Sequence, residues 1–201
     1  MGRIIIAPNI SLDGVMQDPT GEEGFRFGGW FREIADNDRE AWAQVEVDEA
    51  LASEALLMGR RSYEWFASRW ASRTGTWADR LSSMPKYVVS ASLEDPKWNN
   101  TKVLKGDVVR EVSTLKQGVS GDIVVYASGR LAHTLIEHDL VDELRLMIYP
   151  FVLGGGQRLF GETTAKKPMR LVGIRRIGDN LALLTYESVL SHVSAIVEVA
   201  R

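Results

Sequence analysis

The sequence predicts an α/β protein with a mostly parallel sheet, flanked by helices and finished by an antiparallel pair of strands. Through the first three quarters of the chain, short apolar runs alternate with helical patterns, as in parallel sheets whose strands are joined by helices. In the last quarter two strand-like runs flank Gly178–Asp179–Asn180, which is a hairpin signal. The hydrophobic fraction of 45% and the charged fraction of 25% are ordinary for a globular protein.

The elements of the first half follow from apolar spacing and turn residues. The isoleucine-rich segment 3–9 predicts a central strand. The glycine-rich segment that follows, up to about Asp36, predicts a long loop, and such loops are often lids or binding elements. Next come a helix over 38–52, a strand over 54–58 and a helix over 62–70, for which Ser62 is the expected N-cap.

The second half continues the alternation. Its predicted elements are strands over 86–91 and 101–104, a helix over 107–116, a strand over 122–126, a helix after 127–129, and strands over 144–149, 169–175 and 181–186. No internal repeat is present, so one domain is predicted over 1–188. Residues 189–201 form a C-terminal extension whose role the sequence does not indicate.

Composition excludes several classes of function. The 201 residues include no cysteine, which excludes disulfides, thiolate metal sites and cysteine nucleophiles. A net charge of −3 argues against a nucleic-acid partner. No apolar stretch is long enough for a membrane span or a signal peptide, so we expect a soluble, cytoplasmic protein. His133 and His138 do not share a helical face and lack a third ligand, so no metal site is predicted.

Three turns that follow strands have the chemistry of anion sites. In Gly59–Arg60–Arg61–Ser62, glycine allows a sharp turn and the arginines offer charge-assisted bonds to a phosphate. The alternative is a solvated basic turn paired with nearby carboxylates. Ser90 and Ser92 offer hydroxyl groups after the next strand, although serines there are commonly turn formers. The segment 127–131, Ala-Ser-Gly-Arg-Leu, combines a small-residue turn with a helix N-terminus, where anions bind.

These turns, in this order and with Ser11–Leu12–Asp13–Gly14 after the first strand, resemble the dihydrofolate reductase-like superfamily. The nearer match is the branch of the C-terminal reductase domain of the bifunctional riboflavin-biosynthesis protein. Segment 57–64 resembles the family's strand–turn–helix beside the adenosine phosphate. Segment 139–144, with Pro150 and the glycines of 152–156, resembles its late part, so the resemblance covers about residues 3–188.

The resemblance implies a mixed central sheet, NADPH as cofactor, and hydride transfer to a small heterocyclic substrate of the pteridine or ribityl-aminopyrimidine type. It also implies a homodimer, since members of this branch often pair. The implied cofactor contacts are Gly59, Arg60, Arg61 and Ser62 at the 2′-phosphate or neighbouring phosphates, Ser90 and Ser92 along the adenosine, Ser128, Gly129, Arg130 and Leu131 at the pyrophosphate, and Ala7 with the Asp13–Gly14 loop near the nicotinamide.

The sequence departs from the family at two places. Many relatives have adjacent glycines where this chain has Ser128–Gly129, and the serine is expected either to crowd the pyrophosphate or to bond to it. The acidic residue that dihydrofolate reductases place against the pterin has no single counterpart here, because Asp38, Glu46, Glu49 and others near that helix each align with it, and dihydrofolate is therefore not the expected substrate.

The remaining site residues each have two interpretations. Asp13 is the best candidate for a catalytic polar group near the transferred hydride, or else Asp13–Gly14 simply forms a turn. The aromatic residues of the glycine-rich loop either stack on a flat heterocycle or pack in the core or at an oligomer interface; they are Phe25, Phe27, Trp30 and Phe31. The leading function is an NADPH-dependent reductase. The alternatives are a catalytically silent nucleotide-binding module of the same fold and a binder of flavin or another nucleotide.

Overall fold

The computed structural model describes residues 1–189, so the predicted extension 189–201 lies outside the described residues except for Val189. Within this range nine strands form a single sheet, and five α-helices and one 3-10 turn connect them. The elements are β1 (Arg3–Ile6), β2 (Asn9–Ser11), a 3-10 turn (Trp30–Arg32), α1 (Asp36–Ala52), β3 (Ala55–Gly59), α2 (Arg60–Trp70), α3 (Thr76–Ser83), β4 (Lys86–Val89), β5 (Thr101–Leu104), α4 (Val108–Gly118), β6 (Asp122–Val125), α5 (Gly129–Glu137), β7 (Glu143–Tyr149), β8 (Met169–Ile177) and β9 (Leu181–Ser188).

The sheet has the order β5-β4-β3-β6-β1-β7-β9-β8, and β2 also pairs with β7. Every pairing from β5 to β7 is parallel, whereas β9 pairs antiparallel with both β7 and β8. The predicted fold class is therefore confirmed: a mixed, mostly parallel sheet with helices and a C-terminal antiparallel hairpin. The isoleucine-rich β1 lies inside the sheet, between β6 and β7, and its residues 4–6 are fully buried.

Three local predictions were wrong or incomplete. Ser62 is not an N-cap, because α2 begins two residues earlier and Gly59 occupies the cap position. The short strand β2 lies at the start of the segment predicted as a loop, where pairing with β7 extends the backbone. Helix α3 was not predicted from the sequence; its buried residues are Ala78 and Leu81, and Leu81 packs in the core beside β3 and β4.

Helices cover both faces of the sheet and bury two apolar clusters. One cluster joins α4 and α5 to the sheet, with Val112 and Leu135 fully buried. The other joins α2 and α3 to the opposite side, with Phe66 and Leu81 in the core. Among the described residues, no helix combines the length and the apolar character needed to cross a membrane.

A buried lysine closes the end of α3. Lys86 is 0% exposed, and its Nζ donates to the carbonyl oxygens of Leu81, Ser82 and Met84 at 2.7, 3.0 and 2.9 Å. The ammonium group also lies 4.7 Å from the centroid of the Trp98 ring. Because the last carbonyls of a helix have no partner within the helix, Lys86 satisfies groups that burial would otherwise leave without one.

Replacing Lys86 with Met is expected to lower the free energy of unfolding by about 2–4 kcal/mol. The change keeps most of the side-chain volume but removes charge-assisted hydrogen bonds and leaves buried carbonyls unpaired. Urea unfolding at neutral pH measures the loss. Lys102→Met, an exposed lysine on neighbouring β5, is the matched control and should be nearly neutral. Equal stabilities for the two variants would contradict this role for Lys86.

Candidate functional site

The carboxyl ends of three neighbouring parallel strands open into one cavity of about 970 Å³. Ala7 follows β1, Gly59 ends β3, and Tyr126 follows β6; all three residues line the cavity. Ligands of open α/β sheets bind at such strand ends. The volume is at the upper end of the range of about 300–1,000 Å³ that small-molecule sites occupy.

Two of the predicted anion turns are joined into a single cradle. The backbone N–H of Gly59 donates to Ser128 Oγ at 3.1 Å, and the backbone N–H of Ser128 donates to Ser62 Oγ at 3.0 Å. Helices α2 and α5 therefore begin side by side, and their first N–H groups have no partner within the helix. Arg130, in the first turn of α5, adds a positive charge to the lining of the same cavity. The cradle has the chemistry of a phosphate site.

The cradle is built on an unfavourable backbone conformation. Ala127 and Ser128 have φ angles of 49° and 57°, in the left-handed region that favours glycine. Such residues cost of the order of 1–3 kcal/mol each and cluster at functional sites. Ser128 offsets part of this cost through its bond with Gly59, which also turns its hydroxyl toward the neighbouring turn.

Arg60 brings a third turn to the rim of the cavity. Its Nη1 donates to Ser92 Oγ at 2.6 Å, and its Nε donates to Glu64 at 2.7 Å. Arg61 lies 3.5 Å from Glu23. Both arginines therefore have carboxylate partners, as the alternative interpretation of a paired basic turn expects, although both still line the cavity. Neither Ser90 nor Ser92 lines it; the Ser90 Oγ accepts the N–H groups of Ser92 and Leu93, which is the behaviour of a turn former.

Asp13 and Gly14 do not line the cavity. Gly14 has a φ of 79° and closes a tight turn onto Ser11, and the Asp13 carboxylate accepts hydrogen bonds from the Ser11 hydroxyl and the N–H groups of Leu153 and Gly154. The Ser11 hydroxyl and the Leu153 N–H hold the pKa of Asp13 well below its usual range. A carboxylate that stays ionised does not donate a proton, so this geometry favours the turn interpretation.

Glu46 is the candidate that the structure separates from the other acidic residues of α1. Glu46 lines the cavity, whereas Asp38 accepts N–H groups of the β8–β9 hairpin and Glu49 pairs with Arg145 at 3.2 Å. Burial, and then the carboxylate of Glu49, raise the pKa of Glu46 to about 8. Glu46 therefore holds a proton at neutral pH. The sequence alone left these three residues equivalent because each occupies a plausible position on one helix.

Polar side chains of three elements surround Glu46. The hydroxyl oxygens of Tyr126 and Tyr149 are buried, and within residues 1–189 neither forms a hydrogen bond of ordinary geometry. Burial raises the pKa of both tyrosines, so both stay protonated. Trp42 Nε1 donates to Asn9 Oδ1 at 3.0 Å, and both residues line the same wall. This wall can offer donors and acceptors to a flat polar ring.

The aromatic residues of the glycine-rich loop divide between two roles. Trp30 is 1% exposed and meets Tyr149 edge to face, while Phe31 stacks on Tyr149 with ring centroids 5.2 Å apart. Phe31 is the one member of the four that lines the cavity. Phe25 and Phe27 contact each other in the loop. Trp30 therefore packs in the core, as the alternative interpretation expects. Phe31 packs against Tyr149 and also lines the cavity.

The sheet order and the strand-end cradle together define a protein of the dihydrofolate reductase-like class, with a reductase-type fold. The model of the RibD C-terminal domain family matches residues 3–183, and the chain belongs to that family. Two relatives are uncharacterised proteins of Bacillus subtilis (strain 168). YyaP is 24% identical over 194 residues, 92% of this chain and 94% of YyaP; YwjB is 32% identical over 130 residues, 65% of this chain and 71% of YwjB.

Solved structures show the same fold. A candidate riboflavin biosynthesis protein from Shewanella sp. PV-4 is 22% identical, with a TM-score of 0.72 over 92% of this chain and 98% of that chain. RibD from Acinetobacter baumannii is 16% identical, with a TM-score of 0.64 over 94% of this chain and 58% of that chain. Dihydrofolate reductase from Enterococcus faecalis, in a complex with NADP(H), is 12% identical, with a TM-score of 0.53 over 93% of this chain and 96% of that chain.

Proposed function

We propose that this protein is an NADPH-dependent reductase that transfers hydride to a small heterocyclic substrate of the pteridine or ribityl-aminopyrimidine type. The observation that carries the proposal is one cavity lined both by the phosphate cradle and by Glu46, a carboxyl group whose pKa is raised by burial. A reductase of this kind needs both, because it must hold an anionic dinucleotide and deliver a proton to its substrate.

The chain's residues fit NADPH in charge and in placement. The joined starts of α2 and α5, with Ser62, Gly129 and Arg130, suit the pyrophosphate. Arg60 lines the cavity and donates to Ser92, which lies beside it outside the lining, and this guanidinium suits the additional 2′-phosphate. Ala7, directly after β1, lines the same cavity with a small side chain, which suits a flat ring packed against it.

Glu46 is proposed to supply the proton. When bound, NADPH would supply a hydride to the carbon of a C=N bond of the substrate. The nitrogen of that bond would then take the proton that Glu46 holds, and the Glu46 carboxylate would regain a proton from water. Asn9 and Trp42, fixed by their mutual hydrogen bond, orient the ring. Fixing both reactants beside each other makes the transfer effectively intramolecular.

The test is a screen for substrate-dependent loss of NADPH absorbance, with reduced and oxidised pteridines and ribityl-aminopyrimidines as the panel. Oxidation that depends on one of these compounds supports the reductase. NADPH binding with no oxidation across the panel would instead select the catalytically silent module. The replacement of the family's adjacent glycines by Ser128–Gly129, with the Ser128 hydroxyl bonded to the Gly59 N–H, is the observation that favours this second candidate. The homodimer stays a prediction, to be measured by sedimentation velocity.

A further inference from the structure

At one rim of the cavity, away from the cradle, two side chains form a binding site for an anion. The carboxylate of Glu22, from the protein itself, occupies this site. Trp65 Nε1 donates to Glu22 Oε2 at 3.0 Å, and the Arg69 guanidinium pairs with the same oxygen. The Arg69 guanidinium carbon also lies 4.5 Å from the centroid of the Trp65 ring. Because Trp65 and Arg69 are one turn apart on α2, the helix holds both donors in place without Glu22.

Glu22 belongs to an internally braced loop, residues 18–29. The buried Asp18 carboxylate accepts the backbone N–H groups of Glu22, Glu23 and Phe25 at 2.7, 3.0 and 3.1 Å. A Cβ atom on Gly28 would overlap Asp18 Oδ2, so the loop closes around this carboxylate only with glycine there. The loop therefore presents Glu22 to α2 as part of a fixed unit.

An anion from outside the protein can replace Glu22 in its ion pair with Arg69. The side chains of Arg69 and Glu22 are 32% and 36% exposed, and ion pairs at that exposure contribute little to stability. Just beyond the C-terminus of α2, Arg73 lies over the Trp70 ring at 4.5 Å, and no ion pair joins it to another residue within 1–189. The rim thus keeps a positive charge beyond the one that Glu22 neutralises, and this charge attracts an incoming anion.

We infer that Trp65 and Arg69 form the seat for an anionic group, a carboxylate or a phosphate, at the distal end of the substrate. Glu22 is an internal competitor that fills this seat when no substrate is bound. Arrival of the substrate displaces Glu22 and frees loop 18–29 from α2. The inference rests on the proposed function in one respect only, namely that the substrate occupies this cavity.

Indole N–H signals in a ¹H–¹⁵N correlation spectrum test the seat directly in the cofactor-free protein. The probes are benzoate and phenyl phosphate, with benzamide as the neutral control, and Trp65→Phe assigns the signal. Both anions are expected to shift the Trp65 signal, and the tighter of the two identifies the tail as carboxylate or phosphate. Glu22→Gln should tighten anion binding by about twofold to fivefold, because the competitor is lost. Arg69→Gln should weaken it by about tenfold or more.

Glu162→Gln is the matched control, an exposed glutamate with no hydrogen bond or ion pair among the described residues, and it should leave anion binding unchanged. Two results would overturn the seat: anions that leave the Trp65 signal in place, or binding that Glu22→Gln weakens. NADPH titration of the same samples separates this inference from the proposed function. If the anions shift the Trp65 signal but NADPH does not bind, the proposed reductase is contradicted and the anion site is not. If NADPH binds but the anions leave the Trp65 signal in place, the anion site is contradicted and the reductase is not.

Discussion

Replacing Glu46 with Gln is expected to lower the rate of NADPH-dependent reduction by about 10²–10⁴-fold, while the dissociation constant for NADPH stays the same. The range is that of a lost general acid. The glutamine side chain keeps the size and polarity of the original but has no proton to deliver. The rate is measured with the substrate that the screen identifies. Glu40→Gln, an exposed position on the same helix, is the matched control and should keep the full rate.

The pH dependence of the rate is a second test of whether Glu46 supplies the proton. With its pKa raised to about 8, Glu46 is protonated below that pH and loses its proton above it. The rate should therefore fall as the pH rises through about 8, and Glu46→Gln should remove this limb. A variant that keeps both the wild-type rate and the alkaline limb would show that another group supplies the proton.

The same shift predicts how stability depends on pH. Between the ordinary value of 4.5 and about 8, the folded protein binds a proton at Glu46 that the unfolded chain releases. The contribution of Glu46 to stability is therefore fully present below pH 4.5 and is lost as the pH rises toward 8, by roughly 2–5 kcal/mol. Urea unfolding at about pH 5 and about pH 8 should show a smaller difference for Glu46→Gln than for the wild type.

Replacing Arg60 with Ala is expected to weaken NADPH binding by about 10- to 100-fold and NADH binding by little. The two cofactors differ by the 2′-phosphate, and Arg60 with Ser92 is its proposed partner. A charge-assisted hydrogen bond is worth about 1.5–3 kcal/mol, which gives this range. Calorimetric titration with each cofactor measures both effects. Arg175→Ala, an exposed arginine on β8, is the control for the loss of one positive charge.

Arg61 should have a smaller effect than Arg60, because its side chain is 72% exposed and points to Glu23 of the loop. If Arg60→Ala lowers the affinities for NADPH and NADH equally, Arg60 does not bind the 2′-phosphate. That outcome would leave Arg60 as a residue that braces the turn through Glu64 and Ser92.

The strand-end cradle could be predicted from the sequence because its signals are local. Gly59 and Gly129 each follow an apolar strand and precede an amphipathic helix, and parallel topology places such turns at one edge of the sheet. Ser62 shows where local reasoning fails. Its hydroxyl suited an N-cap, but in the fold it accepts from Ser128, 66 residues away in the chain.

The proposed proton donor, Glu46, could not be predicted for the same reason. Glu46 and Glu49 are similar by sequence, and they differ only because Arg145 of β7 pairs with Glu49 while Glu46 faces the cavity. Asp13 followed a strand and preceded a glycine, so it suited a catalytic loop equally well. Its partners Leu153 and Gly154 lie 140 and 141 residues further along the chain, and only the fold brings them to its carboxylate.

The most direct test of the central claim is a calorimetric titration of the unmodified protein with NADPH and then with NADH. The account predicts micromolar binding of NADPH and a preference over NADH of about tenfold or more, from the 2′-phosphate contact at Arg60. Absence of binding for both cofactors would contradict the assignment of the strand-end cradle as a dinucleotide site.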